Sequence, residues 1–312
     1  MIESLDASIS QAESFLLEVQ LPSGEFATYR SESPDFMGEV TYDPSPFVTT
    51  FVATALGGLA SDHSKDACAK AVGFLLSERE ESGLWRYWSS ENAATIDPDV
   101  DVTCCVAAAL RALTQEQQSG AVDSVLLENR NLRGLFKTWL RPGHSPNDIA
   151  LGVNANALYY FGEREETLPA LQHINAVVNA DKEEGSDWYY PEPATIHYLI
   201  ARAYHAGVSG LGECQEALVR KTRNRLETSN AGDGALGLAL SLNTALYCGA
   251  RDLAGIESVA QTLIKLQRDD GSWPAHAFYA GPEPPGPYAY WWGSEELTTA
   301  LVMEALTRLR AR

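Results

Sequence analysis

Three features are missing from this chain of 312 residues, and each absence excludes a class of function. No cluster of lysine or arginine is present and the formal net charge is -19, so we expect no nucleic-acid partner. No apolar run approaches the ~18 residues of a membrane-spanning helix, and no charged and apolar leader opens the chain. The five cysteines show no Cys-x-x-Cys spacing. We therefore expect a cytoplasmic protein with reduced thiols and no transmembrane segment.

Sustained alternation of apolar and polar residues is also lacking, so little in the sequence predicts β-structure. What is present is a repeat of alanine-rich helical runs, at intervals of roughly 40 to 60 residues, the range of helix-pair repeats. Because small side chains let helices crowd around an axis, these runs predict six inner helices. They occupy residues 46–59, 101–113, 147–161, 193–207, 234–250 and 295–309.

Six amphipathic runs lie between the alanine-rich ones, and their charged stripes suit helices that face water. Outer and inner helices in alternation predict an all-α (α/α)6 barrel, and hydrophobic residues are 45% of the chain, enough for its core. We expect residues 1–312 to form this single domain. The outer runs occupy residues 7–20, 64–80, 122–140, 168–180, 214–227 and 254–267.

A glycine turn followed by an aromatic residue recurs after the outer runs, at residues 18–26, 77–85, 179–188 and 265–273. Glycine ends a helix by adopting the left-handed conformation, and we expect the aromatic residue to fold back onto the barrel wall. The last turn, Gln267 to Trp273, reads Q-x-x-x-G-S-W and resembles the QW motif of triterpene cyclases. In that family the glutamine stacks on the tryptophan and ties helix ends together.

The start of the second inner run, IDPDVDVTCC, carries the acidic residues of most interest. It resembles the D-x-D-D-T-A signature of class II terpene cyclases, with Asp99, Asp101 and Thr103 in matching positions, and is similar to the D-C-T-A-E signature of oxidosqualene cyclases. The resemblance implies that Asp101 is a general acid and that Asp99 supports it. Val102 replaces the third aspartate of the longer signature, so the acid needs another hydrogen-bonding partner. His197 and Asn154, both on inner runs, are the candidates.

Protonating an alkene requires a carboxylic acid that keeps its proton until the substrate is in place and then releases it. Burial raises a carboxyl pKa, while hydrogen bonds and a helix N-terminus favour the conjugate base. The resulting cation needs aromatic faces and few nucleophiles around it. We predict that the following aromatic residues bind substrate: Tyr159, Tyr160, Trp188 with the adjoining Tyr189 and Tyr190, Tyr198, Tyr290, Trp291 and Trp292.

The six-pair pattern covers nearly the whole chain, and a lone barrel of this length resembles the single-domain class II meroterpenoid cyclases of the squalene-hopene/oxidosqualene cyclase superfamily. These enzymes close a polyprenyl chain attached to a dihydroxybenzoate. The resemblance implies a hydrophobic polyprenyl substrate. The acidic motif has too few clustered oxygen, cysteine or histidine ligands for a metal ion, so we expect neither a metal nor a cofactor. A carboxylate-bearing head group would suit one of Arg30, Arg86 or Arg141. Chain length, head group and oligomeric state stay open.

Three other functions fit parts of the pattern. An (α/α)6-barrel glycosidase needs two separated carboxyl groups in a polar groove, and the inner runs offer few beyond Asp101. The β-subunits of protein prenyltransferases share the barrel and bind zinc, but only Asp101 and Cys104 share a helix face here. A non-catalytic prenyl or lipid carrier would use the aromatic residues and would have no use for the acid. These alternatives stay open beside the cyclase.

Overall fold

The computed structural model describes residues 2–92, 95–114, 120–141, 147–228, 234–250, 252–282 and 288–311. Within these ranges the chain forms twelve α-helices that alternate between an outer and an inner position. In chain order they are α1 (Ile2–Val19), α2 (Pro46–Gly57), α3 (Asp62–Ser77), α4 (Val100–Thr114), α5 (Gly120–Glu128), α6 (Leu151–Phe161), α7 (Leu168–Asn179), α8 (Pro193–His205), α9 (Gln215–Thr228), α10 (Gly234–Tyr247), α11 (Ile256–Leu266) and α12 (Glu295–Arg310).

The even-numbered helices form a closed inner ring. Each packs against the even-numbered helices before and after it, and α12 packs against α2 to close the ring. The odd-numbered helices lie outside and contact the inner helices beside them. The predicted (α/α)6 barrel is therefore confirmed.

Burial separates the two rings as the composition of the runs predicts. In α4 the residues from Val100 to Leu110 are all buried, whereas α11 buries only Ile256, Val259, Ala260 and Leu263. The second set follows the i, i+3, i+4, i+7 spacing of one helix face. Every helix in the described ranges is too short or too polar to cross a bilayer.

The third outer helix differs from the prediction of residues 122–140, because α5 ends at Glu128. Asn131 follows, and its Oδ1 accepts hydrogen bonds from the backbone N–H groups of Arg133 and Leu135. An asparagine that bonds the backbone just ahead of it favours a turn over a continuing helix. The rest of the segment is thus a turn that leads to the next inner helix.

The turns that precede α4 and α12 share an arrangement that we call the aromatic clasp. The Trp85 indole donates to the Leu75 carbonyl over 2.7 Å, and its backbone N–H donates to the Thr103 hydroxyl over 3.1 Å. Trp273 repeats both contacts, with Leu263 at 2.8 Å and Thr299 at 3.1 Å. Each clasp fastens an outer helix to the next inner helix through one fully buried tryptophan.

Two phenylalanines occupy the same place in weaker copies of the clasp. The backbone N–H of Phe26 donates to the Thr49 hydroxyl of α2, and that of Phe136 donates to Asn154 Oδ1 of α6, both over 2.9 Å. The predicted turn at residues 179–188 differs, because its aromatic residue does not fold back onto the barrel wall. Its Trp188 is 55% exposed.

The glutamine of the QW-like turn ties α1 to the end of α11. Gln267 Nε2 donates to the carbonyls of Ser8 and Gly271, and its Oε1 accepts from the Ser8 hydroxyl over 2.6 Å. Gly271 has a φ of 89°, and a Cβ there would lie 2.6 Å from the carbonyl carbon of Gln11. Glycine is therefore required at this turn both by conformation and by space.

A small antiparallel sheet, which the sequence did not predict, lies over the barrel end where α2 and α12 begin. Its strands are β1 (Tyr29–Ser31), β2 (Val40–Tyr42), β3 (Tyr279–Pro282) and β4 (Tyr288–Gly293), in the order β2-β1-β4-β3. Strands this short carry too few alternating residues to register as a pattern. The sheet pairs Tyr279 with Trp292 and holds both beside the barrel axis.

Candidate active site

A cavity of about 690 Å³ opens at the end of the barrel where the inner helices begin. Its volume is in the range of small-molecule sites. Segments that precede or begin α2, α4, α6, α8 and α12 form its wall, together with β3. Nine of its 19 lining residues are aromatic: Phe47, Tyr87, Trp88, Trp139, Trp188, Tyr189, Tyr190, Tyr279 and Trp292.

Asp101 lines this cavity from the first turn of α4 and is only 9% exposed. Both of its carboxyl oxygens accept hydrogen bonds, Oδ1 from Asn156 Nδ2 over 2.6 Å and Oδ2 from the Tyr190 hydroxyl over 2.5 Å. Burial raises the pKa of Asp101, while these two hydrogen bonds and the charge of Arg202 oppose that rise. The setting thus favours the protonated carboxyl group through burial and also stabilises the carboxylate through hydrogen bonds.

The prediction that His197 or Asn154 hydrogen-bonds to Asp101 is wrong. His197 Nε2 pairs with Glu183 Oε1 over 2.9 Å. Asn154 holds an aromatic clasp, because its amide binds the backbone N–H and carbonyl of Phe136. Asn156, two residues further along α6, points to a different side of the helix and makes the contact instead.

Tyr190 owes its position to Asp187 and Gly152. One oxygen of Asp187 accepts from the backbone N–H groups of Tyr189 and Tyr190, and the other accepts from Gly152 N over 2.6 Å. A Cβ on Gly152 would lie 2.8 Å from Tyr190 Cε2, so the ring packs directly on the helix backbone. Burial raises the pKa of Asp187 to about 7. The position of Tyr190 is therefore fixed both by hydrogen bonds to its backbone and by packing of its ring.

Asp99 also lines the cavity, and its Oδ1 accepts from the backbone N–H of Val102 over 2.7 Å. This contact caps the first turn of α4. Its Oδ2 is buried and has no hydrogen-bond partner among the described residues. Burial, with the neighbouring Asp101, raises the pKa of Asp99 well above its ordinary value. Its supporting role in the reaction stays a prediction.

Of the nine predicted aromatic residues, Trp188, Tyr189, Tyr190 and Trp292 line the cavity. The other five are not among the lining residues, and their role in binding substrate stays a prediction. The Arg202 guanidinium covers Tyr159 and Tyr198, Tyr160 donates to Asp123, Arg30 stacks on Tyr290, and Trp291 pairs with Ser31 and Ala280 in the sheet.

The mouth of the cavity also contains Tyr87, Trp88 and Tyr279, which were not predicted. Asp43 Oδ2 accepts hydrogen bonds from the indoles of Trp88 and Trp292, which fixes both rings. Trp292 stacks on Tyr279 with ring centres 5.9 Å apart, and the Tyr279 and Tyr87 hydroxyls lie 2.9 Å apart. These residues come from loops and short strands, where helical periodicity gives no signal of their orientation.

The opposite side of the mouth is more polar. Asp148 accepts from the hydroxyls of Thr138 and Tyr189, at 2.7 and 3.1 Å. Arg141 pairs with Asp97 and lies over the Trp139 ring at 4.7 Å. Of the three arginines considered for a head group, Arg141 alone lines the cavity; Arg86 pairs with Glu80 and Arg30 stacks on Tyr290.

The acid itself is bracketed by neutral hydrogen-bond donors. Across the described ranges, no three histidine, cysteine, aspartate or glutamate side chains group closely enough to hold a metal ion. The arrangement is suited to transferring a proton from Asp101 to an apolar molecule that fills the aromatic cavity.

Comparison with known proteins supports this fold. No protein-family model matches the chain, and no curated protein matches its sequence. A structure of a protein from Actinoplanes is 19% identical with a TM-score of 0.74, covering 99% of this chain and 100% of its own. The type II terpene cyclase MstE from Scytonema is 18% identical with a TM-score of 0.73, and the match covers 100% of this chain and 99% of MstE. An Asp-to-Asn variant of MstE bound to its substrate, geranylgeranyl dihydroxybenzoate, is 16% identical with a TM-score of 0.72. That match covers 99% of this chain and 98% of the variant. The chain thus has the fold of type II terpene cyclases.

Proposed function

We propose that this protein is a class II terpene cyclase in which Asp101 protonates the terminal alkene, or epoxide, of a linear polyprenyl substrate. The observation that carries the proposal is the setting of Asp101. It is a buried carboxyl group inside an aromatic cavity, with one neutral hydrogen-bond donor on each oxygen. The fold shared with type II terpene cyclases adds support.

The first step transfers the proton of Asp101 to the alkene. A C–H bond forms, the π bond breaks, and a tertiary cation develops on the neighbouring carbon while Asp101 becomes a carboxylate. The Tyr190 hydroxyl and the Asn156 amide both donate to that carboxylate and stabilise it as its charge develops. Cyclisation then proceeds by attack of successive alkenes on the cation, and loss of a proton ends it.

The aromatic wall serves the later steps. The faces of indole and phenol rings attract a cation, and a cavity that excludes water protects it from capture. Asp43 holds two of the indoles, those of Trp88 and Trp292, through their N–H groups, so their positions do not depend on substrate. This rigidity favours one folding of the polyprenyl chain over others.

We propose a prenylated aromatic acid as the substrate. Its apolar chain would reach Asp101, and its carboxylate would lie at the mouth beside Arg141, the described arginine that lines the cavity. Asp97 and Asp148 flank the same region, so a doubly or triply charged diphosphate would find too little positive charge there. The MstE complex with geranylgeranyl dihydroxybenzoate suggests that compound as the first to test.

The alternatives fit the cavity less well. A glycosidase binds a polar sugar between separated carboxyl groups, whereas most of the side chains that line the cavity around Asp101 are aromatic or apolar. A passive carrier would bear the cost of a buried carboxyl group without using it.

Replacing the acid tests the proposal. Asp101→Asn keeps shape and polarity but offers only an amide, so cyclisation should fall by at least ~10²–10⁴, the usual effect of losing a general acid. The variant should stay folded by circular dichroism and should still bind geranylgeranyl dihydroxybenzoate. Product is measured by mass spectrometry and NMR. The same assay is repeated with geranylgeranyl diphosphate in place of the benzoate.

Asp123→Asn is the matched control, because Asp123 bonds to Tyr160 and does not line the cavity. It should cyclise at the wild-type rate. A folded Asp101→Asn protein with wild-type turnover would falsify the mechanism. Faster turnover of the diphosphate than of the benzoate would contradict the proposed substrate alone.

A further inference from the structure

Arg202 of α8 is a buried cation without a carboxylate partner. It is 7% exposed, and its Nη2 donates to Asn156 Oδ1 over 2.6 Å and contacts Cys105 Sγ at 3.7 Å. No carboxylate in the described ranges forms an ion pair with it, and its Nε has no partner there. Burying an uncompensated charge is costly, so a residue in this state calls for a functional reason.

Aromatic rings make up most of its other surroundings. The guanidinium lies 4.2 Å from the ring centre of Tyr159, 4.7 Å from that of Phe51 and 5.7 Å from that of Tyr198. Ring faces stabilise a cation without neutralising it. The positive charge of Arg202 therefore remains available to other groups nearby.

Arg202 also determines which way the Asn156 amide faces. Guanidinium has only donors, so it must meet the amide oxygen, and the amide nitrogen then points at Asp101. A reversed amide would present its oxygen to Asp101 and accept the acid's proton in a hydrogen bond. That arrangement would hold the proton in place, whereas the observed one stabilises the carboxylate that is left after transfer.

We propose that Arg202 is a positioning residue for the acid: it fixes the Asn156 amide with its nitrogen toward Asp101, and its charge is compensated only when Asp101 gives up its proton. This inference rests on the proposed function. While Asp101 is neutral, the arginine is unpaired; once the proton has left, a carboxylate faces it through the amide. The charge thus stabilises the product of proton transfer more than the resting state, which is the condition for catalysis.

Other titratable groups also face Asp101 and interact with it electrostatically. Asp99 precedes the same helix, and the thiols of Cys104 and Cys105 follow on it. The remaining elements contribute Asp187 and Tyr190 before α8, Arg202 on α8 and Tyr279 on β3. Among these groups Arg202 bears the positive charge, and it lowers the pKa of Asp101 against the effect of burial.

The test is the pH profile of kcat for Arg202→Met. The reaction needs protonated Asp101, so wild-type kcat falls as the pH rises through the pKa of that residue. Without the arginine that pKa is higher, so the fall should move to higher pH. The plateau of kcat should drop by about 10- to 100-fold, the range seen when a group that orients a reacting ligand is lost. KM should change little, because Arg202 does not line the cavity.

Arg308→Met is the matched control. Arg308 also lies over a ring, that of Tyr247 at 4.0 Å, but its polar partners are Glu304, His205 and the Tyr247 hydroxyl. The pH profile of this variant should match that of the wild type. If Arg202→Met does not fold, Asn156→Asp serves instead. The new carboxylate would pair with Arg202, and residue 156 would no longer donate a hydrogen bond to Asp101. The plateau of kcat should therefore drop, and the fall of kcat with pH should again move to higher pH.

A folded Arg202→Met or Asn156→Asp protein with wild-type kcat overturns the inference, as does a lower plateau with an unmoved pH profile. In both cases the proposed function survives if the wild type cyclises and Asp101→Asn does not. A wild-type protein that cyclises no polyprenyl substrate overturns the proposed function and this inference together.

Discussion

The second and sixth helix pairs, α3–α4 and α11–α12, are built alike and differ at one decisive position. Trp85 and Trp273 close equivalent clasps onto Thr103 and Thr299. Two residues before the threonine, the second pair carries Asp101, and the sixth carries the fully buried Leu297.

The same position in the first and third pairs is occupied by Phe47, which lines the cavity, and by Gly152, on which Tyr190 packs. The repeat therefore supplies a common scaffold, and in two of these four copies the residue at this position, Asp101 or Phe47, lines the cavity. The chemistry depends on which side chain each copy places there.

If the two clasps are equivalent supports, removing either tryptophan should cost the same stability. Trp85→Ala and Trp273→Ala each delete a fully buried ring and its hydrogen bond, which should lower the free energy of unfolding by about 3–5 kcal/mol. Urea denaturation measures both. A difference between the variants of more than about half that amount would show that the copies are not equivalent.

Replacing the clasp threonines should separate support from chemistry. Thr103→Val leaves the backbone N–H of Trp85 without its acceptor, and Thr299→Val does the same to Trp273. Each change should lower the free energy of unfolding by about 1–3 kcal/mol. Only Thr103→Val should also slow cyclisation, because Trp85 contacts the segment that carries the acid: its carbonyl accepts a hydrogen bond from the backbone N–H of Asp99. Denaturation and turnover are measured on the same samples, and equal slowing by both variants would argue against this assignment.

The sixth pair does carry a buried acid, Glu296, beside Leu297, but it does not line the cavity. Burial raises the pKa of Glu296 to about 7. A raised carboxyl pKa means that its stabilising contribution is complete below the ordinary value of 4.5 and is lost as the pH rises through about 7.

Glu296→Gln should therefore be more stable than the wild type at pH 8, relative to pH 5, by at least about 1 kcal/mol. Denaturation at the two pH values measures this difference. Glu257→Gln, at an exposed position of α11, provides the control and should keep the wild-type dependence. An unchanged dependence in Glu296→Gln would mean that its carboxyl group is already solvated in the native state.

The helical scaffold could be predicted from the sequence because its signals are local. Alanine-rich runs are buried on all sides, amphipathic runs face water, and the glycine turns mark where outer helices end. The boundary at Glu128 was missed because a single asparagine turn ends α5. The sheet was missed because its strands are too short to show alternation.

The site was only partly predictable. The acidic motif singled out Asp101, whose burial and cavity position agree with the predicted role. The prediction of Asn154 as the partner is wrong, since local sequence does not distinguish it from Asn156, a second amide two residues further along the same helix. Only the closed ring shows that one of them holds Phe136 and the other meets Asp101. The role of Arg202 likewise depends on contacts between α6 and α8 that no local pattern contains.

Gly152 carries no functional group, yet it decides where the Tyr190 ring lies. A single added methyl group would push that ring off the helix and take its hydroxyl away from Asp101. The activity of the site thus depends on the absence of a side chain at Gly152 as well as on the polar groups that contact Asp101. A search for determinants of activity that considers only residues able to donate, accept or ionise would pass over this position. Variation among related chains at this glycine would be expected to accompany a change at the tyrosine.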